Sequence, residues 1–512
     1  MLAYIGRRIS IAVLILFGST FITYNLEAFA GDPLAQYRES TEQNKAFLIK
    51  ELTHRLHLDV PPPARYFLWL KGVLAVFTGQ ADFGQTITKL PVIDQVAAAI
   101  PTTIRLVSVS TVLAIVLGIT FGVLSAIRQY SRLDYSLTFL SFFLFSLPIF
   151  WVAVLLKEFL AIRFNNFLAN PVIDIWWSLG TSAVLAFVLA GFISGSRRRV
   201  LISWVSGFAV FAILLNALSA TEWLRNPSIG IIPIGLMGVG IAFGVTHTFA
   251  GLSNRKALGA GFTSVGFAVG MYYPFQILAS GNTNYSVVTA FAVLMIVVSY
   301  FIGYFFTKVD RGPVIQTAML TALLTSLLTI IDKFMQTWKP YYENGAVDGR
   351  PIQTQGSLNI LLKSNDFWIN NLDLLTHIFL PTAALTLISF AGYLRYSRGS
   401  LLEVLGMDYI RTARAKGLPE REVILRHAFR NAMIPLTTLV AYDIAGILGG
   451  AIITEAVFGW RGMGSLFNEA IQSQDLNLLM GTFSITAFLA VMATLAADLI
   501  YSSLDPRIRI RK

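Results

Sequence analysis

Residues 286–306 read SVVTAFAVLMIVVSYFIGYFF, 21 positions without one charged side chain. A helix rises 1.5 Å per residue, so about 20 apolar residues cross the roughly 30 Å hydrocarbon core of a bilayer. This stretch reads as a membrane span, and working outward from it the same window finds eleven more. They centre on roughly 9–29, 103–127, 135–162, 175–195, 200–220, 230–252, 257–280, 313–331, 375–395, 434–457 and 478–502. The alternating segments of about ten residues expected of a closed β-barrel are absent. The expected fold class is therefore all-α, a polytopic membrane protein with about twelve spans.

Composition agrees. Of 512 residues, 55% are hydrophobic and 13% are charged, where soluble domains carry about 25% charged residues. The mean hydropathy is +0.65. No cysteine is present, which excludes a disulfide scaffold and a Cys-ligated metal or redox protein. So apolar a chain is not intrinsically disordered.

The net charge of +11 could suggest nucleic acid, but the positions of the cations favour topology. With the amino terminus inside, beside Arg7 and Arg8, every second connection is basic: Arg128/Arg132, Arg197–Arg199, Arg255–Lys256, Lys308/Arg311, residues 395–432, and the tail Arg507–Lys512. These hold 23 of the 39 Lys and Arg residues. The opposite short loops, 221–229, 281–285 and 458–476, carry only Arg225 and Arg461. This is the positive-inside pattern, with both termini expected in the cytoplasm and no role for nucleic acid. Ala28-Phe29-Ala30 has the small-x-small form of a signal cleavage site, but the apolar stretch Ile9–Tyr24 is slightly long for a signal peptide, so an uncleaved first span is expected.

Two segments are polar enough to fold in water, 31–101 and 334–373, both expected outside. The longest inside connection, 395–432, reads as two helices around a corner. Leu401, Leu402, Leu405, Tyr409 and Ala413 recur at helical spacing over 400–416, and Arg411, Arg414 and Lys416 sit where cations favour a helix C-terminus. Gly417 suits the left-handed residue that ends a helix. Pro419, Glu420 and Glu422 suit the first turn of the next helix, which is expected to run through Val423, Ile424, Phe429 and Ala432 until Pro435 opens the following span.

The residues here resemble a known element. Asp408-Tyr409-Ile410-Arg411-Thr412-Ala413-Arg414-Ala415-Lys416-Gly417-Leu418, followed by Arg426-His427-Ala428-Phe429-Arg430-Asn431-Ala432-Met433-Ile434-Pro435, resembles the cytoplasmic coupling loop of ABC-importer permeases, in its dipeptide/oligopeptide branch. Further motifs agree in order: Ala30-Gly31-Asp32-Pro33; His57-Leu58-Asp59 with Arg65–Leu70; Asp82-Phe83-Gly84-Gln85; Ile100-Pro101-Thr102-Thr103; Ser146–Trp151; Val457–Gly464; and Leu504–Arg507. Arg430 stands where the general consensus has a proline, and the later Pro435 is the peptide-branch arrangement.

The resemblance covers about 1–163 and 374–512, 302 residues, and leaves 164–373, 210 residues, as an apparent insertion. It implies a first span at 1–30, an outer segment 31–101, core spans at 102–163, about six inserted spans at 164–333, an outer segment 334–373, and core spans four to six at 374–512 around a coupling loop at 396–432. An even number of inserted spans returns the chain to the outside, as the coupling loop requires. Gly235, Gly238, Gly240, Gly244, Gly259, Gly261, Gly266 and Gly270 are expected to permit close helix packing there.

The sequence has no G-x-x-x-x-G-K-[ST] phosphate loop and no G-x-S-x-G elbow. Its five histidines, 54, 57, 247, 377 and 427, show no H-x-x-x-H metal spacing. No catalytic or metal site is expected. The resemblance implies a transport subunit in the bacterial inner membrane, surrounded by lipid. Its implied partners are a second permease subunit, two cytoplasmic ATPase subunits carrying ATP and Mg, and an extracytoplasmic solute-binding protein delivering peptides or related small solutes. It places coupling to the ATPase on Asp408, Tyr409, Arg411, Ala413, Gly417, Glu420, Arg421, Arg426 and Asn431, with Glu420 and Arg421 as the contacts at the corner. The competing class is an ion-coupled secondary transporter, which needs ionisable groups near mid-membrane. Asp443 is the main candidate and the expected pathway residue; Arg105, Lys157, Glu158 and Asp498 lie nearer span ends.

Overall fold

A computed structural model describes residues 2–39, 45–192, 196–281, 283–308, 311–446, 452–504. The tail Arg507–Lys512 and most of the Leu504–Arg507 motif lie outside them. Among the described residues the chain is helical with no strand, and an isolated antiparallel bridge joins Gln85 and Pro91. It divides into two compact units: Met1–Glu158 with Thr354–Ser357 and Ile378–Lys512, and Phe159–Gln353 with Leu358–His377.

Among the described residues each of the twelve apolar stretches is mainly helical, but not each is one helix. Seven described helices are long and apolar enough to cross a membrane, and the bent pair Arg132–Ser146 and Ile149–Ala169 would make an eighth. The pair turns by 103° at Leu147-Pro148, because proline restricts the preceding residue to an extended backbone, here ψ 130°. The stretch 257–280 breaks at Met271 into Arg255–Gly270 and Tyr272–Ala279, and 434–457 comprises Arg430–Gly446 and Ile452–Phe458. Ile175–Phe192 and Leu476–Leu504 are further apolar helices, of 18 and 29 residues.

The first unit is organised along Val92–Ile127, a 36-residue helix. At one end an aromatic core gathers Tyr24, Tyr66, Trp69, Phe83, Val92, Val96, Met463, Leu466 and Leu479. Tyr66 bonds Thr20 at 2.9 Å and packs edge-on against Phe21, centroids 5.1 Å apart. At the other end a core of small residues gathers Ala126, Leu401, Ile410, Ala413, Val423, Ala428 and Ala432. Between them the helix meets Phe367–Leu405 closely: a Cβ at Gly118 would stand 2.3 Å from that of Tyr393.

The second unit contains the helices Ile231–Phe249, Arg255–Gly270, Tyr285–Phe306 and Arg311–Tyr342, packed together, and the pair Ile175–Phe192 and Arg197–Ala220. Fully buried Asp332 ties it together. Its carboxylate accepts from Ile229 N–H at 2.6 Å, Tyr272 O–H at 2.6 Å and Gln336 N–H at 2.7 Å. Of the eight glycines expected at helix contacts, Gly235, Gly238, Gly259 and Gly261 do face a neighbouring helix. Gly240, Gly244, Gly266 and Gly270 have nothing within 4 Å, so glycine spacing alone did not locate the contact face.

Candidate functional site

The 395–432 connection starts inside the helix Phe367–Leu405, which ends at Gly406-Met407. Leu401, Leu402 and Leu405 therefore close that long helix, while Tyr409 and Ala413 belong to a separate one, Asp408–Ala415. The expected single helix over 400–416 is thus two. Periodicity misses the break because the apolar positions on both sides fall in one cluster.

The corner is as the residues dictate. Gly417 has φ +74°, a conformation that costs a Cβ-bearing residue energy. Lys416 N–H bonds Thr412 O at 3.1 Å, Gly417 N–H bonds Arg414 O at 2.9 Å, and Leu418 N–H bonds Ala413 O at 3.4 Å, so the last carbonyls of the helix are satisfied. Nothing lies within 4 Å of the position a Gly417 Cβ would take, so backbone conformation, not crowding, selects glycine.

After Pro419 the chain is helical over Glu420–Glu422, π-helical over Val423–Phe429, and helical again over Arg430–Gly446, with Pro435 inside that helix and not at its start. One extra residue per turn in the π segment rotates the side chains that follow, a feature periodicity does not foresee.

Polar contacts fasten the corner across its two arms. Arg414 grips Glu420 with two bonds, Nε to Oε2 at 3.1 Å and Nη2 to Oε1 at 2.7 Å. That hydrogen-bonded guanidinium holds the Glu420 carboxyl below the usual carboxylate range. Asn431 Nδ2 donates to the Tyr409 hydroxyl at 2.9 Å, and Ser400 Oγ donates to Ala432 O at 2.8 Å. Arg426 pairs with Glu422 at 3.1 Å, and Arg411 lies 3.5 Å from Asp408. Ala413 is buried in the base; Asp408, Tyr409, Arg411, Gly417, Glu420, Arg421, Arg426 and Asn431 are exposed. The expected residues thus form a small-residue base under a polar, solvent-facing tip.

Asp443 is exposed in this chain, and its Oδ2 accepts from the Tyr393 hydroxyl at 2.5 Å. The five histidines stay scattered, and among the described residues no group of three His, Cys, Asp or Glu could hold a metal ion.

Sequence reasoning missed two constellations. Asp134, almost fully buried, accepts from Arg398 Nε at 2.7 Å and Nη2 at 3.0 Å, from Ser125 Oγ at 2.5 Å and from Tyr130 N–H at 3.0 Å. It joins the turn after Val92–Ile127 to the helix that leads into the loop. The only hint was an acid three residues after the capping Ser131. At the aromatic end, buried Glu455 accepts from Thr103 Oγ at 2.8 Å and Ser465 N–H at 2.8 Å, and Thr103 Oγ in turn accepts from Met463 N–H at 2.7 Å. A Cβ on Gly462 would fall 2.4 Å from both Glu455 Oε1 and Thr103 Oγ1. This explains the glycine at position 462 of the Val457–Gly464 motif.

Residues 291–510 match the family described as "Binding-protein-dependent transport system inner membrane component". Over these residues the chain is similar to inner-membrane components of binding-protein-dependent transport systems. The chain is 45% identical over 138 residues to the oligopeptide transport system permease protein OppB of Mycobacterium tuberculosis (strain ATCC 25618 / H37Rv), 27% of this chain and 42% of that one. It is 43% identical over 143 residues to the dipeptide transport system permease protein DppB of Escherichia coli K12, 28% of this chain and 42% of that one. These matches span less than half the length of those relatives. The oligopeptide transport system permease protein AppB of Bacillus subtilis 168 aligns over 514 positions at 24% identity, 99% of both chains. The family match contains the whole 395–432 loop and Asp443, begins within the apparent insertion, and leaves out residues 1–163, where five of the resembling motifs lie.

Proposed function

We propose that this permease is one membrane subunit of an ATP-driven importer and lines the pathway for peptides or related small solutes. The observation that carries the reading is the loop corner: a rigid helix–Gly417–helix turn, buried at its base and polar at its tip. A surface of this kind suits a soluble partner that pushes on it. Two cytoplasmic ATPase subunits, holding ATP and Mg, would grip Glu420, Arg421 and the neighbouring Asp408, Tyr409, Arg411, Arg426 and Asn431. Closure of the ATPase pair would be transmitted through Ala413 and Gly417 to Phe367–Leu405 and Arg430–Gly446, which flank the loop, switching access of the pathway.

In this reading both termini are cytoplasmic in a bacterial inner membrane, and a second permease subunit completes the pathway. A solute-binding protein delivers cargo to the aromatic end, where segments from 31–101 and 458–476 meet. Asp443, solvent-facing and oriented by Tyr393, is the pathway residue. The region 164–373 is an inserted membrane domain. The oligopeptide and dipeptide transport named for its relatives supports peptides as cargo.

Purification in mild detergent tests the proposal. An ATPase and a second permease are expected to accompany the chain, and ATP hydrolysis by the complex should rise with binding protein and peptide. Isolation as a lone, proton-driven transporter would overturn it in favour of ion coupling.

A further inference from the structure

We propose that the first unit holds a binding site for a small zwitterion at the end of the Leu2–Ala30 helix, with the anion on Arg65 and the ammonium on Glu27. A cavity of about 320 Å³ lies there, walled by the last turns of that helix and by parts of Lys45–Arg55, Pro62–Leu74 and the start of Leu476–Leu504. That is in the range of small-molecule sites.

Arg65 lines it and is only 7% exposed. Among the described residues it forms no ion pair and its Nε has no hydrogen-bond partner; its guanidinium bonds the neutral Tyr24 side chain and stands 5.9 Å from the centre of that buried ring. Burying a cation without an anion is costly, so an unpaired buried guanidinium facing a cavity is an anion receptor waiting for its ligand. Glu27 lines the same cavity, half-buried, and its carboxylate has neither ion pair nor hydrogen bond among the described residues. The other two charges of the wall, Asp32 and Arg38, are committed to each other at 3.0 Å.

Two opposite charges, neither with a counter-ion among the described residues, thus share one cavity, with Leu56, Leu58 and Leu476 also on its wall. A ligand carrying both an anion and an ammonium on a short apolar frame satisfies all three features. A free amino acid or short peptide has this chemistry, and so does an aminophospholipid headgroup at the membrane boundary. The inference stands independently of ATP-driven transport.

The test uses the full chain, with whatever subunits accompany it, in phosphatidylglycerol nanodiscs. One arm titrates L-alanyl-L-alanine and its N-acetyl form by calorimetry; the other adds phosphatidylethanolamine and follows retention by native mass spectrometry. Binding in the first arm identifies a free solute, and in the second a lipid headgroup. In either case Glu27→Gln and Arg65→Gln are expected to weaken binding about tenfold or more. N-acetylation should cost the dipeptide a similar factor in the parent and little in Glu27→Gln. If Arg65→Gln fails to fold, Glu27→Gln decides alone. No binding of either probe, or binding undiminished in a Glu27→Gln protein that melts like the parent, overturns the site.

Discussion

The two ends of Val92–Ile127 are built on opposite plans. Val96 and Ala126 lie about 45 Å apart along that helix. Around Val96 the core consists of large rings, Tyr24, Tyr66, Trp69 and Phe83, with the buried carboxylate of Glu455 nearby saturated by donors. Around Ala126 it consists mostly of alanines and single aliphatics beneath a charged, exposed tip. The aromatic end is filled by rings packed on one another. The loop end buries little and presents much, which is how a chain prepares a surface for something else to cover. The difference separates a ring-packed cap from a small-residue base within one unit.

Substitutions can break that contrast, and the largest effect belongs to the cap. Gly462→Ala drives a methyl group into Glu455 and Thr103, which are held in place by their own bonds. A loss of about 3 kcal/mol is expected, read as a lower unfolding temperature of the purified protein. Next comes the brace above the loop. Asp134→Ala leaves Arg398, Ser125 and Tyr130 N–H without their shared acceptor. A loss of about 2 kcal/mol is expected, less than for a wholly enclosed pair because Arg398 keeps some contact with solvent. Melting that matches the parent would show that the brace is not structural.

At the corner the prediction reverses in kind. Gly417→Val places a β-branched residue at φ +74° in open space, a strain of about 1–2 kcal/mol. Folding and insertion should survive, while ATP hydrolysis by the assembled complex is uncoupled from solute uptake. Normal uptake by this variant would refute the coupling role. The smallest effect is that of pH on the Arg414–Glu420 clasp. Because the Glu420 carboxyl is held below its ordinary range, the pair contributes at neutral pH and is lost as pH falls through the depressed value. Both side chains are exposed, so stability should move by well under ~1 kcal/mol. Exchange of the Gly417 and Leu418 amides should nevertheless quicken relative to Gly462, and Arg414→Gln should abolish that pH dependence.

Much of this plan was legible in the residues, for particular reasons. Uncharged runs such as 286–306 announce helices in lipid because nothing else can satisfy their backbone there. The Lys416-Gly417-Leu418-Pro419 corner could be read because each residue has a narrow conformational use. The break at Gly406 and the π segment Val423–Phe429 were not legible because the apolar spacing runs on through them, and Pro148 marks a bend without giving its 103° angle. The Asp134–Arg398 brace joins residues 264 positions apart, and local spacing carries no trace of such a pairing. Arg65 was legible only as part of a motif; that it is buried without a counter-ion is a property of the folded cavity.

The four residues Thr354–Ser357 carry a practical consequence. They group with the first unit although the chain on both sides groups with the second, and Gly356 N–H bonds Phe458 O at 2.9 Å. The chain therefore changes units four times and not twice. Cutting out 164–373 as one block would strip a strap from the Val457–Gly464 turn. A working minimal version of this protein has to be spliced so that the strap stays and only what surrounds it is removed.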